Sequence, residues 1–585
     1  MGIKTLKNIF LGLIVTLLVF ASPKIFAQSN EQTTNKNVRV AIGNQNFSNY
    51  SYDKITLFGT SDIQIYNLAD GNLITEIPSE TPFEISIKDN SFELTFNKEK
   101  REIIDNFAVK TDGLLGIKDL KRKGKQALYH TCFEIIKKPK TDSYFYVVNV
   151  LDIQDYLKGV VPNEMPTHFG LEALKAQAVA ARNYVLSPRT KLVDEYDVVD
   201  SVSSQVYFGA NTEEKLSNEA VDKTDGIVAL YNWKLILAQY SSTAGGYTES
   251  FANAFSDPIT KKFPSDAKPY LVAKADMLTQ QPLRTEEQVA EYYINTPDSY
   301  DIRSPYYRWQ KMWTKDELEQ ILSKTLVEQS STGFVHPKLQ KASDFGKLKD
   351  IKPKRRGDSG KLIDIEIITD RGTYTVQKEL VIRRIFQKNK VSLPSANVVF
   401  DLTFDDKHNL TDIVAYGGGF GHGVGMSQYG AGYMATKKHQ PYYNILRHYY
   451  KGINLGTMPV EVINSEVEQS FWAPIGRAHI VIVGPSMPKI NVMINGKPHL
   501  FSVNRAFLQK DVKIDISRYI EDGENKIIFY PAYFPMKVYV ELVESYHTNT
   551  HKTLWGGDLN LNPIEELKPE EKPVKDKTEE PANEQ

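Results

Sequence analysis

Between Val38 and Phe96 apolar and polar residues alternate. The stretches VRVAIG, KITLFG, DIQIYNL, PFEISIK and SFELTF return to apolar side chains at about every second position, the period of a half-buried strand. Gly, Asn and Asp separate the runs, so this part of the chain predicts short strands joined by tight turns. The period changes after Pro166. Leu171, Leu174, Ala178, Ala181 and Val185 recur on one face of a helix over 171–186, and Pro188 stops it. A hairpin follows in GIVALYNWKLILAQYSSTAGGYTES, turned at Asn232 and ending in a Gly-Gly loop. RTEEQVAEYYINT and TKDELEQILSKTLVEQ predict helices, GKLIDIEIITDRGTYTVQ a strand pair, and PYYNILRHYYKG a short closing helix.

The pattern then becomes wholly β. HIVIVG, INVMINGKPHLFSV, DVKIDISRYI and NKIIFYP, with an Asn495–Gly496 turn, predict an all-β sandwich over 459–547. Residues 563–585 are charged, Pro-rich and nearly free of large apolar groups, which predicts disorder. The fold expected is therefore α+β: a β-rich region over 38–456 with one prominent Ala-rich helix, then the sandwich.

Composition narrows the class. With Lys+Arg 71 against Asp+Glu 72, no broad basic field favours nucleic acid. Lys4 and Lys7 precede an apolar run, Ile9–Ala21, too short to span a bilayer and suited to a signal peptide over 1–27, cleaved after Ala27. Ile25 is not ideal at the position before the cleavage site, so retention as an N-terminal anchor is the alternative. Secretion or attachment to the cell envelope follows. Cys132 is the single cysteine, which excludes an intrachain disulfide and a cysteine-based zinc cluster.

Three stretches hold candidate chemistry. In VVPNEMPTHFG, Glu164 lies between Pro162 and Pro166. The prolines restrict their neighbours and place the carboxylate on a fixed turn at the mouth of the 171–186 helix. Apolar Val161 and Met165 would raise its pKa and keep the proton a general acid needs. A helix-capping or surface glutamate is the other reading. In YGGGFGHGVGMSQYGAGYM, dense glycines allow close backbone approach, and His422 between Gly421 and Gly423 is a candidate acid, base or hydrogen-bond donor. The alternative is a structural loop. Neither a dinucleotide fingerprint nor a Walker A motif is present. In YSSTAGGYTES, Ser241 and Ser242 read as turn hydroxyls or, less simply, as nucleophiles lacking the GxSxG elbow. His422, His439 and His448 are too scattered for a metal site, and no cofactor is expected.

Taken together, YLKGVVPNEMPTHFGLEALKAQAVAARNYVL and GGFGHGVGMSQYGA closely resemble the SpoIID/LytB family, with DSVSSQVYFG, AQYSSTAGGYTES, SGKLIDIEI and VIRRIF in matching order over about 38–456. The resemblance implies a peptidoglycan-processing protein. In the sporulation member, a lytic transglycosylase of peptide-free glycan strands, the catalytic glutamate of the V-P-x-E-M-P motif falls on Glu164. Other members are described as enhancers of an N-acetylmuramoyl-L-alanine amidase. By this resemblance, Gln177, Arg182, Tyr184, Ser241, Ser242, His422, Ser427 and Gln428 are substrate-binding candidates. Peptidoglycan glycan strands are the expected partner, with a cell-wall amidase second. Some members bind zinc through His and Cys near the segment matching AQYSSTAGG. Here Ser241 follows Tyr240 where a His often stands and no Cys is present, so no metal is expected.

Overall fold

A computed structural model describes residues 37–188, 193–276, 283–474, 477–483, 489–503, 511–532 and 535–543. The predicted leader over 1–27 and tail over 563–585 lie outside them. The alternating N-terminal runs form a twelve-stranded sheet. Its path runs from Val198–Val199 through Asn37–Ala41, Phe145–Asp152, Lys125–Lys137, Phe107–Arg122 and Lys54–Gly59 to the hairpin strands ending at Glu99–Ile103. Alternation does what it predicts. In Lys54–Gly59, Ile55, Leu57 and Gly59 turn inward while the residues between them face out. The long hairpin of Phe107–Arg122 and Lys125–Lys137 turns on Lys123 and Gly124, both at positive φ, as its twist requires.

Strand Phe145–Asp152 feeds helix α1, Ile153–Glu164, whose N-cap Asp152 accepts from Gln154 N at 2.7 Å. Glu164 therefore closes α1 instead of opening the next helix. A single 3-10 turn, Thr167–Phe169, separates it from α2, Leu171–Leu186. Pro162 and Gly159 hid α1 from a sequence reading. A proline in the last turn removes one hydrogen bond and crowds one carbonyl, which a helix of twelve residues tolerates near its end.

The bounds of α2 match the predicted 171–186, but its environment does not. A single apolar face was expected. Instead Ala173, Ala176, Ala178, Ala180 and Ala181 are all fully covered, with Gln177, Arg182 and Asn183 buried among them. Small side chains let α1, the helices Lys215–Asp222, Gln428–Lys437 and Tyr442–Tyr449, and strand Val228–Tyr231 close in on every side. The turn before α2 is packed as closely: a Cβ at Gly432 would lie 2.7 Å from the Phe169 ring.

Residues from the helix Glu286–Ile294 to Gly417 hold a four-stranded and a three-stranded sheet with the helix Lys315–Ser330. Their core centres on Trp313, Leu322, Ile365, Ile367 and Ile413. The C-terminal strands form two sheets that share a core through Ile480, Ile482, Val492 and Ile527. The chain is thus α+β with a terminal sandwich. The expected boundary between 456 and 459 falls inside one of its sheets: Asn454–Gly456 pairs with Val228–Leu230 on one side and with Leu542 and Glu541 on the other. No helix among the described residues is long and apolar enough to cross a membrane.

Candidate active site

Glu164 sits where α1 ends, between fully buried Val161 and Met165, and is itself half-buried. Its Oε1 accepts from Val206 N at 2.6 Å, and the side chains of Gln428 and Tyr240 also hydrogen-bond to the carboxyl. Burial pushes its pKa up to about 7, and the three hydrogen bonds only partly offset this. The carbonyl end of α1 acts in the same direction, because a helix C-terminus disfavours negative charge. The groups bonded to Glu164 are a peptide N–H, an amide and a phenol, all neutral. With a pKa of about 7 the carboxyl is partly protonated near neutral pH, and it keeps contact with solvent.

Each bonded group is itself supported. The Tyr240 hydroxyl accepts from Gln205 Nε2 at 2.8 Å, and Gln205 Oε1 accepts from the Tyr156 hydroxyl of α1 at 3.0 Å. Burial lifts the Tyr240 phenol far above its ordinary range, so it remains a donor. Gln428 Nε2 donates to Gln177 Oε1 at 3.3 Å. The loop carrying Val206 is pinned on both sides. Asp200 forms a buried 2.8 Å ion pair with Arg122 and accepts from Gly43 N, and the Tyr207 hydroxyl donates to Asn149. Tyr240–Ser241 pairs in parallel with Met426–Ser427, which brings the two distant sequence motifs into one small sheet.

The predicted residues divide into groups. Gln177 and Gln428 meet beside Glu164, and half-buried Tyr184 lies close enough to Tyr240 to raise its phenol. Arg182 is directed elsewhere: its guanidinium donates to Ile227 O at 3.0 Å and Gln154 Oε1 at 3.1 Å, tying α2 to the start of α1 and to strand Val228–Tyr231. Ser427 caps the helix Gln428–Lys437 by accepting from Gly430 N at 3.3 Å. Ser241 is buried, and Ser242 Oγ lies 3.2 Å from Thr243 Oγ1. His422 accepts from Val424 N at Nδ1, 3.0 Å, so its Nε2 carries the proton. Burial, then Lys361 and Arg383, push its pKa down to about 3. It is a neutral imidazole beside the Phe255 ring, at 5.1 Å. His422 and Glu164 meet through Tyr240, whose backbone contacts one and whose hydroxyl contacts the other.

Tyr240, Gln205 and the Val206 N–H were missed. Tyr240 and Gln205 stand among small hydroxyl residues in AQYSSTAGG and DSVSSQVYFG, where turn chemistry is the simpler reading. A backbone donor leaves no mark on residue type. The donors around Tyr240–Ser241 do not fit zinc: hydroxyls dominate, and Cys132 is buried on the N-terminal sheet. Among the described residues no group of three or more His, Cys, Asp or Glu is placed to hold a metal.

Two results follow from this arrangement. Arg182→Met leaves the Ile227 carbonyl and Gln154 without their donor and should cost about 3 kcal/mol of stability. Thermal unfolding checks this; turnover of the folded fraction should be unchanged. Tyr240→Phe removes a hydrogen bond that lowers the Glu164 pKa, so the fall of activity with rising pH should move to higher pH. A pH–rate profile measures the shift.

The site is thus a single glutamate of raised pKa at the end of α1 in an α+β scaffold, held by neutral donors drawn from a pinned loop, the strand Tyr240–Ser241 and the helix that follows the glycine-rich turn. Residues 141–231 match the model of a family described as stage II sporulation protein, and residues 257–425 match a domain of unknown function. The chain is 30% identical over 324 residues to the stage II sporulation protein D of Bacillus subtilis (strain 168), covering 53% of this chain and 75% of that one. It is 31% identical over 301 residues to the amidase enhancer of the same organism, covering 51% of this chain but only 40% of the relative's length. An uncharacterized protein of Brachyspira hyodysenteriae (strain ATCC 49526 / WA1) is 32% identical over 332 residues, covering 56% of this chain and 72% of its own. The chain belongs to the SpoIID/LytB family.

Proposed function

We propose that this protein is a cell-envelope lytic transglycosylase that cleaves peptidoglycan glycan strands with Glu164 as acid and then base. The observation that supports the reading most strongly is the carboxyl with a pKa near 7 and only neutral hydrogen-bond partners. Glycoside hydrolases ordinarily need two carboxyl groups, one of which activates water or attacks the sugar. A lytic transglycosylase needs one. Protonated Glu164 gives its proton to the glycosidic oxygen as the bond from muramic C1 breaks, which frees the 4-hydroxyl of the glucosamine. The resulting carboxylate is stabilised by Val206 N–H, Gln428 and Tyr240. It then takes the proton from the muramic C6 hydroxyl while that oxygen bonds to C1. No water enters, and Glu164 ends protonated again.

Incubation with peptide-free glycan strands tests this. Mass spectrometry should find new termini lighter by one water than hydrolysed ends. Intact strands after long incubation, beside an active control enzyme, contradict the proposal. A second reading, stimulation of a cell-wall amidase, draws on the relative named amidase enhancer. It predicts stimulation that is equal for wild type and Glu164→Gln.

A further inference from the structure

Phe420 is a large apolar side chain left 38% exposed on a firmly held backbone. Its N–H donates to Thr243 O at 2.9 Å, and its carbonyl accepts from Thr243 N at 3.2 Å. Gly419 and Gly421 flank it at φ 89° and 99°, where a side chain would be strained. Gly419 N donates to Tyr306 O at 2.8 Å, and Gly419 O accepts from the Trp309 indole at 3.1 Å. The Phe420 and Tyr306 rings stack with centroids 4.4 Å apart and planes 22° apart. One face of Phe420 is thus covered by Tyr306. A single exposed ring is ordinary on a protein surface, but one stacked on a second open aromatic on a held backbone begins a contiguous apolar patch, the kind of surface that marks a contact site.

This aromatic pair is joined to the Glu164 site by one short segment of chain. Successive residues of one segment serve both: Tyr240 gives its hydroxyl to Glu164, Ser242 O accepts from Tyr429 N at 3.1 Å, and Thr243 pairs with Phe420. Three residues of extended chain span at most about 10 Å. Tyr429 follows Gln428 directly and prolongs the surface, its ring edge-on to Phe169 at 4.8 Å. Burial, and then the nearby Tyr306 phenol, raise the Tyr429 phenol above its ordinary range. Tyr306, Phe420, Tyr429 and Phe169 are uncharged, and all three of the first are at least partly open.

We propose that Tyr306, Phe420 and Tyr429 form a saccharide-stacking ledge, a binding subsite for N-acetylhexosamine rings of the strand beside Glu164. The idea rests on the glycan reading of the site. A pyranose ring presents flat C–H faces that suit the electron-rich face of an aromatic ring, and rigid rings lose little freedom on binding. Tyr306 and Phe420 both fall within 257–425, the match to a domain of unknown function. That domain would thereby contribute to substrate binding.

The test uses the full chain carrying Glu164→Gln, so that no probe is consumed, and titrates soluble N-acetylglucosamine oligomers and peptide-free glycan strands by calorimetry. Phe420→Leu keeps apolar volume but removes the ring, so it should fold normally by thermal unfolding. It should raise Kd by roughly tenfold. Phe420→Tyr should bind like its parent, and Tyr306→Ala should weaken binding as Phe420→Leu does. Equal Kd for the Leu variant and its parent overturns the ledge, as does a parent that binds neither probe. Release of anhydro termini by the wild type, assayed separately, decides the transglycosylase reading whichever way the ledge falls.

Discussion

Glu164→Gln should lower release of 1,6-anhydromuramic termini by roughly 10²- to 10⁴-fold, the range that a positioned general acid contributes. Glutamine keeps the size of the side chain and can still accept from Val206 N, as Glu164 Oε1 does at 2.6 Å, so the fold should be intact. What it lacks is a proton to give to the leaving oxygen. Binding to glycan strands should be little changed, because the loss lies in a transition-state interaction. Product quantification under single-turnover conditions measures the effect. A residual rate within a few-fold of wild type removes Glu164 from the chemistry.

The second large effect is on pH dependence, in activity and in stability. Donation needs the protonated carboxyl, so kcat/KM should hold on the acid side and fall as pH rises through about 7. Stability follows linkage. The folded-state pKa of about 7 lies above the ordinary 4.5, so the native protein holds a proton that the unfolded chain releases between those values. Below pH 4.5 both states are protonated and the group costs nothing. Stability is lost progressively as pH rises to 7, and the full cost remains above it. The difference, 7 − 4.5, corresponds to at most about 3 kcal/mol for this half-buried group. Glu164→Gln removes this cost. The variant should therefore match wild type in Tm at pH 4 and exceed it at pH 8. Asp200 and Asp301, raised by burial to about 6 and about 7, are common to both proteins and cancel in the comparison. A variant less stable at pH 8 contradicts the assigned ionisation.

Much of the fold was legible because local pattern and tertiary environment agree. The alternating runs became strands with the same inward residues, and α2 kept its predicted ends. Where they disagree, a local rule was overruled by packing. Pro162 reads as a breaker, yet α1 continues to Glu164 because the lost hydrogen bond falls in its last turn. The apolar residues of α2 read as a single face, yet Gln177, Asn183 and Arg182 are buried with them because other elements offer them partners. The site shows the same division. The proline frame marked Glu164, and family resemblance named Gln177 and Gln428 as candidates, but the bond between those two, 251 residues apart, left no mark in the spacing. Tyr240 and Gln205 act by geometry alone. His422, conspicuous in the sequence, is held neutral by burial and two nearby cations.

In the proposed mechanism one glutamate serves as acid and then base with no water taking part. Reaction in heavy-oxygen water tests it most directly. Wild-type protein acting on peptide-free glycan strands should yield new muramic termini that carry no label, each lighter by one water than a hydrolysed end. Incorporation of heavy oxygen at the muramic C1 would mean that water attacks there, and would contradict the account.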